Sequence, residues 1–152
     1  MDEDIKTWLR DTLNDPVASI LLKHSNLTRT QFETIIIDLI SEYPSADAFR
    51  YEDKAKIREK KVSRGAFNRS LNQARKNIIS SVYTLLLLSY VGLFRGLLFE
   101  DYENLAEKLR QYTDLYTKYR EAPKTQANLL LNIEKELFEG IERLAKPKVL
   151  KP

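Results

Sequence analysis

Residues 62–75 read Val-Ser-Arg-Gly-Ala-Phe-Asn-Arg-Ser-Leu-Asn-Gln-Ala-Arg, and this segment is the most informative part of the sequence. Ser63 is a good N-cap, because its hydroxyl can accept a hydrogen bond from a backbone N–H in the first turn of a helix. Beyond that cap, Phe67, Leu71 and Ala74 recur at spacings of four and three. The segment therefore predicts a helix that begins near Ser63 and has one apolar face.

The rest of that helix carries side chains suited to nucleic acid. They are Arg64, Asn68, Arg69, Asn72 and Lys76. Arginine, lysine and asparagine are the residues that most often contact phosphates and base edges. We expect Arg64, Asn68 and Arg69 to reach base edges. Phosphate contacts are expected from lysines of this helix and of the segment before it, namely Lys54, Lys56, Lys60, Lys61 and Lys76.

The pattern Ser-Arg-Gly, then an apolar residue, Leu four positions later and Ala-Arg resembles the recognition helix of sigma-factor region four and of related small helix-turn-helix proteins. The resemblance covers residues 62–75 only. It implies a cap at Ser63, with Ser63, Arg64, Asn68 and Arg69 nearest the nucleic acid. The preceding segment departs from the family pattern, because Lys54 and Arg58 stand where apolar residues are usual and no Gly marks the turn.

Charge is concentrated in the same part of the chain. The whole protein has 152 residues and a net charge of only +3. Residues 45–80, however, hold 10 Lys or Arg against 4 Asp or Glu, whereas residues 1–44 hold 4 against 8. A local excess of positive charge favours nucleic-acid binding in a way that the net charge does not show.

Apolar residues recur at helical spacing along most of the chain, and the sequence predicts an all-α protein. Asn14-Asp15-Pro16 should end a first helix and place Pro16 at the start of a second, which ends near Ser25-Asn26. Thr28 and Gln31 should form a capping box at the start of a third helix, whose apolar face is formed by Phe32, Ile35, Ile36, Leu39 and Ile40.

Ile78 to Phe94 is a run of seventeen residues without Asp, Glu, Lys, Arg or His. As a helix it would cover about 25 Å, which is short of the roughly 30 Å hydrocarbon core of a membrane. We therefore predict a buried central helix that packs behind the recognition helix, and no membrane partner.

Residues 98–146 have the pattern of a coiled coil. Seven apolar or tyrosine residues alternate spacings of four and three, namely Leu98, Tyr102, Leu105, Leu109, Tyr112, Tyr116 and Tyr119. Pro123 should break the helix and Thr125 should cap the next one. The two helices could form an antiparallel hairpin or pair with a second chain, and we expect a homodimer.

The sequence offers little for catalysis. The chain has no cysteine and one histidine, His24, which is expected at a helix end. No Gly-rich phosphate loop or isolated carboxylate pair is present in the sequence. We predict a non-enzymatic cytoplasmic protein without a cofactor or bound metal.

Together these observations predict a helical bundle in three parts. Residues 1–97 form a core with a helix-turn-helix at about 46–77, residues 98–146 form a hairpin or oligomerisation arm, and residues 147–152 form a loose basic tail. The predicted function is that of a dimeric transcription regulator that binds double-stranded DNA. The alternative is a non-catalytic accessory subunit of a larger replication, transcription or RNA-processing enzyme. RNA binding is less favoured, because aromatic and basic residues do not alternate as base stacking would need.

Overall fold

The computed structural model describes residues 2–41, 51–92 and 99–145, and within them the protein is all-α, as predicted. The described helices, in chain order, are α1 (Asp2–Leu13), α2 (Pro16–His24), α3 (Arg29–Ile40), α4 (Tyr51–Ile57), α5 (Arg64–Tyr90), α6 (Phe99–Lys118) and α7 (Pro123–Ala145). Three predictions fall on residues outside these ranges: the first residues of the helix-turn-helix, the 97/98 boundary and the basic tail.

Capping residues fix the first helix ends where the sequence predicts them. Asp15 accepts a hydrogen bond from the backbone N–H of Ala18 at 2.7 Å, and Pro16 is the first residue of α2. At the start of α3, Thr28 Oγ1 accepts from the N–H of Gln31 at 3.2 Å. The Gln31 side chain accepts from the N–H of Thr28 at 3.0 Å, which completes the capping box.

The first helices and the start of α5 enclose one apolar core. Its buried residues come from α1, α3, α4 and α5, and they are Leu9, Leu13, Ile36, Ile37, Ala55, Ile57, Phe67 and Leu71. The predicted apolar face of α3 is wrong in part. Leu39 is 55% exposed, whereas Glu33, Thr34 and Asp38 are buried.

α5 is one continuous helix of 27 residues. The prediction that residues 78–94 form a separate buried helix behind the recognition helix is wrong. As far as Tyr90, this charge-free segment is the second half of α5 itself, and most of its large apolar side chains are exposed. α1, α3 and α4 occupy the position behind Phe67 and Leu71 instead.

α6 and α7 form an antiparallel hairpin, one of the two arrangements that the sequence allowed. Leu109, Ile133 and Leu137 are buried, and Lys108 Nζ lies 2.7 Å from Glu136 Oε2 across the two helices. α7 begins at Pro123, so the prediction that Thr125 caps this helix is wrong. Proline fits the first helical position because its missing N–H would have no helical partner there.

The chain divides into two compact units, Met1–Tyr83 and Thr84–Pro152. The division falls within α5.

Candidate nucleic-acid interface

The start of α5 is built as the sequence predicts. Ser63 Oγ accepts a hydrogen bond from the N–H of Ala66 at 3.2 Å, and Ser63 O accepts from the N–H of Phe67 at 3.0 Å. The Val62 side chain packs against the apolar core just before the cap. The cap fixes where α5 begins and how its first turn leaves the core.

One face of the first half of α5 is fully buried. Phe67 and Ala74 are 0% exposed and Leu71 is 3% exposed. This confirms the predicted apolar stripe. The opposite face is consequently held outward by the packing of α5 on α1, α3 and α4.

The polar side chains predicted to contact nucleic acid lie outside the core. Arg64, Arg69, Asn72 and Lys76 are exposed, and Asn68 is half-buried. Within the described part of the chain, the side chains of Arg69, Asn72 and Lys76 make no hydrogen bond or ion pair. Their side chains are therefore available to an external ligand.

The lysines before α5 divide into two groups. Lys56, Lys60 and Lys61 are exposed, Lys56 on α4 and the other two in the segment that leads to Ser63. Lys54 is only 7% exposed, so its predicted contact with phosphate is wrong. Its ammonium group instead lies 3.0 Å from Asp38 Oδ1, inside the protein.

Asp38 joins three helices through two ion pairs. Its Oδ1 contacts Lys54 of α4, and its Oδ2 lies 2.7 Å from Nη2 of Arg75 on α5. The Asp38 side chain is 6% exposed and that of Arg75 is 50% exposed. A buried carboxylate needs such partners, because an unpaired buried charge is very costly.

Glu33 forms a second buried cluster one turn earlier on α3. Its Oε2 accepts from Arg58 Nε at 3.2 Å, and its Oε1 accepts from the backbone N–H of Glu59 at 2.6 Å. Arg58 is 8% exposed. The departure of Lys54 and Arg58 from the helix-turn-helix pattern thus has a physical reason, since each faces a buried acid of α3.

Sequence reasoning missed both acids. Glu33 and Asp38 are five residues apart on an otherwise apolar helix, and this spacing alone does not distinguish buried acids from exposed ones. The available signal was the two cations at apolar positions of α4 and its end, which require acidic partners if they are buried.

Amide and hydroxyl groups connect the turn before α3 to the middle of α5. Asn77 Nδ2 donates to Asn26 O at 2.8 Å and to Gln31 Oε1 at 3.3 Å. Asn26 Nδ2 in turn donates to Ser81 Oγ at 3.1 Å. Together with the Asp38–Arg75 pair, these bonds connect α5 to α3 and to the turn that precedes it.

The second half of α5 differs from the first in chemistry and in burial. Residues 77–91 contain no charged side chain. Their exposed large apolar residues are Ile78, Ile79, Val82, Tyr83, Leu85, Leu86, Leu87, Tyr90 and Val91, which are 39% to 87% exposed. None of the described helices is long and apolar enough to cross a membrane.

Other kinds of site find little support among the described residues. No group of three or more His, Asp or Glu side chains in them could hold a metal ion. His24 is exposed and is the last residue of α2, the helix end that the sequence predicts. Comparisons with protein-family models, with curated proteins and with solved structures find no match to this chain.

Proposed function

We propose that this protein binds double-stranded DNA through the outward face of the first half of α5. The observation that carries the proposal is the exposed set Arg64, Arg69, Asn72 and Lys76 on a capped helix whose opposite face is fully buried. A helix presented in this way can enter the major groove, where arginine reads guanine and asparagine reads adenine.

The distribution of charge around the outward face of α5 supports the proposal. α5 contains no Asp or Glu, so no acid of the same helix opposes an approaching phosphate. The acids of α3 that lie nearest in the fold, Glu33 and Asp38, are buried and paired with Arg58, Lys54 and Arg75. The two acids of α3 therefore do not oppose a polyanion at the surface, and Oε2 of the exposed Glu59, which precedes Lys60, lies 3.8 Å from Nη2 of Arg29.

The proposed contacts divide into two kinds. Lys56, Lys60, Lys61 and Lys76 contact phosphates and set affinity and its dependence on salt. Base edges are contacted by Arg64, Asn68, Arg69 and Asn72, which set sequence preference, while Ser63 holds the first turn against the backbone of the nucleic acid. Lys54 has no part in binding, because Asp38 holds it inside the protein.

A gel-shift experiment with two double variants tests the proposal. Arg64→Ala with Arg69→Ala should weaken binding to a selected duplex by more than about tenfold, since each bidentate arginine contact discriminates by about 1–3 kcal/mol. Arg10→Ala with Lys23→Ala removes the same charge from exposed positions of α1 and α2 and should change binding little. Equal binding by the native protein and the α5 variant would contradict the proposal.

In this proposal the protein is a transcription regulator that acts in the cytoplasm as a homodimer. Two-fold proteins read paired half-sites of DNA, and one α5 covers only a few base pairs. Selection of bound sequences from a random duplex pool should then yield a site with two-fold symmetry. A single unpaired half-site would contradict the dimer.

A second candidate is a non-catalytic accessory subunit of a larger enzyme. The observation that favours it is the exposure of Leu131 and Phe138 on α7, at 62% and 72%. This function predicts that the isolated protein does not bind a duplex and that it copurifies with one defined partner. Duplex binding that depends on Arg64 and Arg69 would exclude it as the main role.

A further inference from the structure

A single stripe of residues runs along the outward side of α5 and changes chemistry halfway. Its members alternate spacings of four and three without interruption, and they are Gly65, Arg69, Asn72, Lys76, Ile79, Tyr83, Leu86 and Tyr90. The first four are small or polar and the last four are apolar or aromatic. This alternation is the spacing at which two helices pack side by side in a coiled coil.

We propose that two copies of the protein pair in parallel along residues 79–90 of α5, and that the two copies of residues 65–76 diverge to hold one DNA duplex between them. The pairing rests on the exposed apolar half of the stripe. The role of the diverging half rests on the proposed function.

The apolar half is too exposed to be left facing water. Ile79, Tyr83, Leu86 and Tyr90 are 53%, 67%, 61% and 87% exposed. With Val82 and Leu87, which flank the stripe on either side, the exposed area of this face is on the order of 800 Å², whereas the largest apolar patch of a typical monomer is about 300–600 Å². A standard interface buries about 800 Å² from each partner, so this half of α5 is large enough for one.

The composition of the surface selects a second copy as the occupant. In a two-fold interface each patch meets itself, so a patch with a charge would meet the same charge. Residues 77–91 contain no charged side chain, and two copies therefore pack without repulsion. The coiled-coil pattern of α6 is used in part within the chain, because Leu109 is buried in the hairpin with Ile133 and Leu137. Tyr102 and Tyr119, near the two ends of that pattern, are 37% and 41% exposed, which is less than Ile79, Tyr83, Leu86 and Tyr90.

Charge also determines the direction of pairing and the point where the helices separate. In a parallel pair Lys76 would face Lys76, and Arg69 would face Arg69, at positions that need apolar contacts. Like charges at these positions favour separation of the helices on the N-terminal side of Ile79. Both polar halves then lie at one end of the pair, which is the arrangement in which continuous helices cross a major groove from a zipper.

Single-cysteine variants test this pairing without DNA. The sequence has no cysteine, so the introduced residue is the only thiol that a cross-linker can react with. Ile79→Cys, Leu86→Cys and Tyr90→Cys should each be linked to a second copy of the same variant by a short bismaleimide. Leu85→Cys is the matched control, because Leu85 is an exposed leucine next to Leu86 but off the stripe. Its yield of cross-linked dimer should be severalfold lower than that of Leu86→Cys.

Sedimentation gives the independent measurement. The native protein should be a dimer at micromolar concentration, and Leu86→Glu should raise the dissociation constant by more than about tenfold while its helix content is unchanged. A monomeric native protein would overturn the proposal, as would equal cross-linking at positions 85 and 86. Cross-linking of Ile79→Cys only with Tyr90→Cys would show an antiparallel pair and would also overturn it.

Failure of this proposal differs from failure of the proposed function. Loss of duplex binding in Arg64→Ala with Arg69→Ala, found in a protein that stays monomeric, would support the DNA-binding face and overturn the pairing. A parallel dimer that does not bind a duplex would support the pairing along residues 79–90 and overturn the DNA-binding role of residues 65–76.

Discussion

Asp38 on α3 connects two other helices, α4 and α5, through ion pairs. Its carboxylate is 6% exposed and contacts Lys54 of α4 and Arg75 of α5. The two cations are not equivalent, because the Lys54 side chain is 9% exposed whereas that of Arg75 is 50% exposed. The pair with Lys54 therefore depends on mutual neutralisation inside the protein, and the pair with Arg75 is screened by water.

Substitution of Asp38 and substitution of Arg75 should lower the stability of the protein by unequal amounts. We expect Asp38→Ala to lower the free energy of unfolding by about 3–5 kcal/mol, because the substitution removes a buried carboxylate that pairs with both Lys54 and Arg75. Arg75→Ala should cost less than about 1 kcal/mol. Asp38→Leu combined with Lys54→Met should recover most of the loss. Urea unfolding measures all three, and equal losses for Asp38→Ala and Arg75→Ala would contradict the assignment.

For single helices, the sequence correctly predicted features that depend on neighbouring residues, namely where α2, α3 and α5 begin. Thr28 with Gln31, and Ser63, cap helices as predicted, and α2 begins at Pro16 as predicted, with Asp15 as its cap. Each of these signals depends only on residues within the next turn. Burial was harder to predict. The charge-free run after Asn77 predicted a buried helix, but it extends α5 beyond the residues that cover Phe67 and Leu71.

Gly140 lets the two helices of the hairpin approach closely at Leu105. It is buried on α7, and a Cβ added there would lie 2.8 Å from Cδ1 of Leu105 on α6. Two effects therefore oppose each other in Gly140→Ala. Alanine favours a helix over glycine by about 0.5–1 kcal/mol, but the new methyl group forces the Leu105 side chain to move.

The sign of the Gly140→Ala effect should depend on Leu105. In the Leu105→Ala background the substitution should stabilise the protein by up to about 1 kcal/mol. In the native background the gain should be smaller or reversed. Thermal or urea unfolding of the four proteins completes a double-mutant cycle. Additive effects would contradict the close packing of the two helices at this point.

At the scale of the whole molecule, the sequence predicted the helical class and the basic middle segment, and it missed how the charges are distributed in space. Lys54 and Asp38 are 16 residues apart, and no local pattern shows that two such residues meet. The predicted contacts of Lys54 with phosphate failed for this reason. Those of Lys60, Lys61 and Lys76 stay predictions, with all three side chains exposed.

Binding of duplex DNA by the exposed basic surface around the start of α5, as we propose it, is best measured in a salt titration. Anisotropy of a labelled duplex gives the binding constant at several salt concentrations for the native protein and for Lys60→Gln with Lys61→Gln. Each lost phosphate contact should reduce the slope of log K against log salt by about 0.9. We expect binding at low salt and a slope reduced by up to about 1.8 in the variant, with no reduction in Arg10→Gln with Lys23→Gln. Absence of binding at low salt, or equal slopes in all three proteins, would contradict the proposal.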